Sequence, residues 1–117
     1  MTDIQRFDSN QVMSAATVFN QVVYLSGQVP KNTAQDVAGQ TREILTTIDK
    51  ILHENESDKS RILSAQLFLK HLSDFQVVNQ IWQEWLHGCT KPARATIQAD
   101  LVNPDWKIEI AITAAQF

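Results

Sequence analysis

The chain lacks most of the features that announce a function. It has one cysteine among 117 residues, Cys89, so no internal disulfide can form and a reducing compartment suits it. No apolar run approaches the roughly 20 residues a membrane span requires, and no charged-then-apolar leader opens the sequence. A cytoplasmic setting without membrane contact is the expectation. Basic residues are scarce: ten Lys and Arg stand against thirteen Asp and Glu, a net charge of −3 at pH 7. They are scattered among acids instead of forming a stripe with interleaved aromatics, which disfavours nucleic acid as a partner.

Familiar catalytic constellations are missing too. His53, His71 and His87 sit in separate segments without metal-ligand spacing, so no metal is expected. There is no Ser-His-Asp order, no glycine-rich phosphate loop and no pair of catalytic acids. Cys89 lies just past a helix end without an activating neighbour. With no repeat, low-complexity tract or linker, residues 1–117 read as one domain, long enough to remove about two thirds of its unfolded surface from water.

What is present is concentrated near the C-terminus. Pro92 to Asp100 and Trp106 to Ala115 alternate between apolar and polar, the period of half-buried β-strands. Ala93, Ala95, Ile97, Ala99 and Leu101 share one face of the first, and Arg94, Thr96, Gln98 and Asp100 the other. In the second, Ile108, Ile110 and Ile112 oppose Lys107, Glu109, Ala111 and Thr113. The pattern predicts that Arg94 and Glu109 both point away from the core.

Further strands are predicted at Ile4 to Asp8, Val12 to Phe19 and Val22 to Ser26, the last two joined by a hairpin turn at Asn20-Gln21. Gly27 and Pro30 end the third. From Gln35 to Glu54 the period becomes helical, with Val37, Thr41, Ile44, Leu45, Ile48, Ile51 and Leu52 in one stripe. Ser60 to Lys70 returns to strand character, and apolar residues on both its faces mark it as central. Ser73 is the expected N-cap of a second helix, with Asp74 in its first turn and Phe75, Val78, Ile81, Trp82, Trp85 and Leu86 on one side, ending near Gly88. Trp82 and Trp85 read as core residues. Asn103-Pro104-Asp105 is a turn before the last strand.

The order βββαβαββ describes an α+β sandwich, a mixed sheet with two helices on one face. Its other face is expected to carry Phe68, Arg94, Thr96, Gln98, Glu109 and Ala111. That mixture is too polar for a core and too apolar for bare surface, so self-association is expected to cover it.

Taken together, Tyr24-Leu-Ser-Gly-Gln-Val-Pro30, Gln40-Thr-Arg42, Phe68-Leu-Lys70, Asp74-Phe75, Val78-Asn79, Pro92-Ala-Arg-Ala-Thr96 and Lys107-Ile-Glu-Ile110 resemble the Rid (YjgF-like, enamine/imine deaminase) family over nearly the whole chain. The resemblance implies a chorismate-mutase-like fold whose last strand inserts between the third and fourth. It also implies a homotrimer with three clefts between subunits, and hydrolysis of 2-imino or enamine acids such as 2-aminoacrylate to 2-keto acids and ammonia without a cofactor.

On that resemblance Arg94 is the substrate-binding arginine, its planar fork suited to a carboxylate; the alternative is an interface arginine paired with an acid of another subunit. Glu109 is the glutamate that orients and deprotonates the attacking water; the alternative is an assembly salt bridge. Thr96 stands where many relatives have cysteine, which argues against an obligatory thiol nucleophile; it counts as substrate-binding, its backbone and hydroxyl able to hydrogen-bond substrate or water, and a β-former without further role is equally compatible. Gly27 allows close backbone approach to a ligand, or simply ends a strand. Asn79, beside the buried helix stripe, belongs to the same substrate-binding set and is expected to tether a neighbouring strand or loop.

Met13 falls where many members carry an aromatic that covers the cleft, and offers no phenolic hydrogen bond. With the Trp106 turn, this departure points to a less-characterised subgroup. The rival reading is a trimeric small-carboxylate-binding or interaction protein without turnover. Ribonuclease activity, also associated with the family, fits poorly with an acidic chain lacking histidine pairs. Sedimentation at micromolar concentration should show a homo-oligomer, and a monomer there would contradict the expected covering of the open sheet face.

Overall fold

Asn20 and Gln21 both adopt positive φ, 55° and 65°, in the two-residue hairpin turn expected between two runs of β-formers. The structure, a computed structural model, describes residues 3–117. The turn joins β2 (Ser14–Phe19) to β3 (Val22–Leu25), and β1 (Gln5–Ser9) pairs antiparallel with β2. Helix α1 (Val37–Glu54) starts where the Asp36 side chain accepts the Gly39 N–H at 2.9 Å, and buries Ile44, Leu45, Ile48 and Leu52. Strand β4 (Ile62–Leu69), helix α2 (Phe75–Trp85), strand β5 (Ala93–Gln98) and strand β6 (Ile108–Ala115) complete the order βββαβαββ.

The six strands form one mixed sheet, ordered β1-β2-β3-β6-β4-β5. The last strand does insert between the third and fourth. β4 and β5 are the parallel pair, and the other neighbours run antiparallel. Both helices cover one face, with α1 over β6 and beside α2. Between the layers lie Val23, Leu67, Leu69, Val78, Ile108, Ile110 and Ile112, all essentially inaccessible. No helix among the described residues is long and apolar enough to cross a membrane.

The structure departs from the sequence expectations in two places. Ser73 does not cap α2; it lies inside a 3₁₀ turn (Leu72–Asp74), and Asp74 takes the cap position without a side-chain hydrogen bond. The tighter turn supplies its own backbone bond, Asp74 N–H to His71 C=O at 3.1 Å, in place of the side-chain cap.

The second departure matters more. In the parallel register Ala65 lies beside Arg94, Leu67 beside Thr96 and Leu69 beside Gln98. Aligned neighbours share a face, and Ala65, Leu67 and Leu69 are core. Arg94, Thr96 and Gln98 therefore rise on the helix side, and Ala93, Ala95 and Ile97 on the open side, the reverse of the expected placement. Glu109, Ala111 and Phe68 do occupy the open face. The physical reason is that β5 is an edge strand, only partly roofed by α2, so its helix-side row can hold half-buried polar groups while small apolar residues face outward.

The two faces should respond differently to truncation. Ile110→Ala, in the centre of the core, should lose about 2–5 kcal/mol in chemical denaturation. Ile97→Ala, 51% exposed in the single chain, should lose far less; a comparable loss would reveal that another surface covers it.

Candidate functional site

Glu109 stands on the open face of β6, level with Phe68 of β4. On the other edge of β6, Gln28 and Ile110 exchange two backbone hydrogen bonds of 2.8 and 3.1 Å. This bridge draws the segment after β3 alongside β6 and sets Gly27 against the carboxylate. A Cβ at residue 27 would overlap Glu109 Oε2, so the missing side chain is what makes room for the acid. Burial raises the pKa of the half-buried carboxyl, because the charged form loses water. No basic side chain offsets this: Lys50–Glu54, at 3.9 Å, is the sole ion pair among the described residues.

Beside Gly27 opens a cavity of about 450 Å³ whose walls include Met13, Ser26, Gln28, Pro30 and Trp106. The Met13 loop is fixed from within. The Asn10 carboxamide oxygen accepts the Val12 and Met13 N–H groups at 2.7 and 2.9 Å, and Asn10 N–H donates to Met13 C=O at 2.8 Å. Met13 as a whole stays 56% exposed.

Arg94 lies on the helix side of the sheet edge. Its Nη2 donates to Asn79 Oδ1 at 2.6 Å, and its guanidinium carbon stands 5.8 Å from the Phe75 ring centroid and 5.7 Å from that of Trp82. Phe75, Asn79 and Trp82 are positions i, i+4 and i+7 of α2, one helix face. Two aromatic faces and a neutral amide thus hold the cation without neutralising it. Burial lowers its pKa, which leaves an arginine fully protonated at any physiological pH.

Thr96, two residues along β5, shares that face. Its Oγ1 is buried and has no hydrogen-bond partner, an orphaned group next to an unpaired cation. Asn79 acts as expected, tethering a strand, and the strand is the one that carries Arg94.

Of the residues selected from sequence, Glu109, Gly27 and Met13 form one group and Arg94, Thr96 and Asn79 another. One chain does not bring the groups together, because the sheet separates them. Sequence reasoning missed the parts played by Phe75 and Trp82, although their spacing around Asn79 was the available signal. Trp82 is core, 6% exposed, and still presents its face to Arg94. Gln40 and Trp106 were also missed. Fully buried Gln40 donates to Asp105 C=O at 3.2 Å and accepts from Lys107 N–H at 2.8 Å, gripping the backbone on either side of Trp106. Among the described residues, no three of His, Cys, Asp and Glu converge on a point that could hold a metal.

A family model described as Endoribonuclease L-PSP matches residues 3–116. The chain is 42% identical over 112 residues to a RutC family protein of Haemophilus ducreyi, covering 96% of each. It is 35% identical over 105 residues to a protein of Acinetobacter baylyi named 3-aminoacrylate deaminase RutC, covering 85% of this chain and 82% of the relative. Among solved structures, a YjgF-family member from Neisseria meningitidis superimposes with a TM-score of 0.93 at 37% identity, covering 98% of this chain and 96% of the other. The Rid/YjgF-like resemblance read from the motifs is borne out.

Asn79→Ala should cost about 1–2 kcal/mol of stability and speed proton exchange at the Arg94 guanidinium in NMR spectra. Unchanged exchange would show that the two rings hold the cation without the amide.

Proposed function

The chain belongs to the Endoribonuclease L-PSP family, and from that premise we propose that it hydrolyses small 2-imino or enamine acids, such as 2-aminoacrylate, to 2-keto acids and ammonia. The observation that carries this reading is Arg94: a half-buried guanidinium, aimed by Asn79 and flanked by two rings, with no acid paired to it. A guanidinium held this way is a receptor for a carboxylate. The name of the Acinetobacter baylyi relative supports the reaction class.

Because Arg94 and Glu109 lie on opposite sides of the sheet, the reaction uses both only where chains meet. Residues on the open face suit such packing: Tyr24, Ile97 and Phe68 among small side chains, with Tyr24 and Ile97 46% and 51% exposed. In a homotrimer, three clefts would each combine the Arg94 edge of one chain with the Glu109 face of the next. We place this assembly in the cytoplasm, where the lone cysteine stays reduced.

The chemistry needs little beyond positioning. Arg94 holds the substrate carboxylate; an enamine such as 2-aminoacrylate first takes a proton from water at C3 to become the imine form, and the C=N carbon, electrophilic as an iminium, faces a water beside Glu109. Glu109 takes a proton from that water as its oxygen bonds to carbon. The resulting carbinolamine collapses when Glu109 returns the proton to nitrogen; the C–N bond breaks, Glu109 takes the remaining hydroxyl proton as the keto group forms, and that proton passes to the departing ammonia. A raised pKa suits this exchange, since it makes the carboxylate a stronger base. Gly27 leaves space for the carboxylate, while Thr96 Oγ1 offers a free hydrogen-bonding atom beside Arg94.

Coupled to a pyridoxal-phosphate enzyme that releases 2-aminoacrylate, the protein should raise the rate of pyruvate and ammonia formation above the spontaneous rate. Arg94→Ala should abolish the gain. No gain, with intact oligomers that still bind keto acids, would select the non-catalytic carboxylate-binding alternative.

Glu109→Gln should lower kcat about 10²–10⁴-fold. Because the base form attacks, wild-type activity should fall with pH through the Glu109 pKa, which burial places above the ordinary 4.5, and the variant should lack that acid limb. The same shift predicts a stability effect. The folded state binds this proton more tightly than the unfolded chain, so the group destabilises the fold as pH rises above 4.5. Glu109→Gln should therefore raise the thermal midpoint at pH 7, and a lowered midpoint would refute the burial account.

A further inference from the structure

The cavity beside Gly27 is larger and more apolar than a three-carbon substrate needs. At about 450 Å³ it falls within the range of ordinary ligand sites, roughly 300–1,000 Å³. Most polar side chains of its walls are turned back onto the protein. Gln28 Nε2 donates to Ser26 C=O at 3.0 Å and to Ser26 Oγ at 3.3 Å, and Ser26 Oγ donates to Ala15 C=O at 3.2 Å. Asn10 spends its carboxamide oxygen on the Met13 loop. What these bonds leave for a ligand is a mainly apolar wall that includes Met13, Pro30 and Trp106, with the charged side chains of Asp8 and Lys31 also lining the space.

Neither large side chain is placed by chance. Buried Gln40 bonds the backbone before and after Trp106, Trp106 N–H donates to Asn103 C=O at 3.0 Å, and Lys70 Nζ reaches Pro104 C=O in the same loop. Opposite, Asn10 clamps the backbone of Met13 and leaves its flexible thioether free. A tryptophan on an anchored backbone and an adaptable thioether lining the same cavity make a surface for an apolar group of variable shape.

We infer that Met13 and Trp106 receive the substrate side chain, and that the preferred substrates are 2-imino acids bearing an extended or aromatic apolar side chain. The inference rests on the deaminase reading above for its reaction, and adds what distinguishes one substrate from another. Gln40 acts as a positioning residue, through Trp106.

The test uses the intact protein with imines generated by an amino-acid oxidase from alanine, leucine and phenylalanine, ammonia release being followed against the spontaneous rate. The leucine- and phenylalanine-derived imines should exceed the alanine-derived one in kcat/KM by about tenfold or more, as expected for several added methylenes against an apolar wall. Trp106→Ala should narrow that ratio about tenfold, and Met13→Ser should narrow it in the same direction should the tryptophan variant fold poorly. Equal kcat/KM for all three imines, or a ratio unchanged in both variants, overturns the inference.

Binding separates this outcome from failure of the deaminase reading. If no imine is hydrolysed faster than in buffer, calorimetry with pyruvate and 4-methyl-2-oxopentanoate still decides. Tighter binding of the larger keto acid, lost in Trp106→Ala, supports the side-chain site; equal affinity refutes it.

Discussion

The insertion of β6 between β3 and β4 is the constraint on which the rest of the molecule depends. A strand with neighbours on both sides must satisfy two ladders, and β6 does so with Ile108, Ile110, Ile112 and Ala114 on a fully buried row. Once that row faces the helices, strict alternation leaves Glu109 no choice but the open side. The Gln28–Ile110 bridge then brings Gly27 against the acid. The loop entering β6 crosses the end of α1, where Gln40 is buried and bonds to it. One topological decision therefore positions the carboxylate, the glycine beside it and the tryptophan next to them.

Arg94 follows a different logic. A half-buried cation normally acquires a carboxylate, and this one instead has an amide and two aromatic faces. The difference is chemical: a carboxylate would quench the charge, whereas an amide orients it and leaves it available. The unpartnered hydroxyl of Thr96 on the same face and the unpaired acid of Glu109 on the other are similar departures from a satisfied interior. Such groups cost stability where they lie, and their placement on the two faces of one sheet distinguishes these positions from ordinary surface.

The buried polar residues also separate into two kinds. Gln40 is fully satisfied and works as an internal strut, tying α1 to the loop that enters β6. Thr41 satisfies its own hydroxyl one turn back, on Val37 C=O at 2.7 Å. Thr96 does neither. Burial alone therefore says little about role; the number of partners says more.

Alternation along β4, β5 and β6, the helical stripes of α1 and α2, and the hairpin at Asn20-Gln21 were legible because period and turn chemistry are local properties of the chain. The choice of Arg94, Glu109, Gly27 and Asn79 came from motif resemblance; in the fold Arg94 bonds to Asn79 on one side of the sheet, and Gly27 lies against Glu109 on the other. What alternation does not encode is which of two faces meets the core when a strand is small and apolar on one side and semi-polar on the other. For β5 that choice was made by its parallel register with β4, a pairing between segments more than twenty residues apart. The grip of Gln40 on the Trp106 loop spans 65 and 67 residues, so no local pattern foreshadows it. Local periodicity wrote the elements; long-range hydrogen bonding and packing decided which side chains share a surface, because only the assembled sheet fixes register.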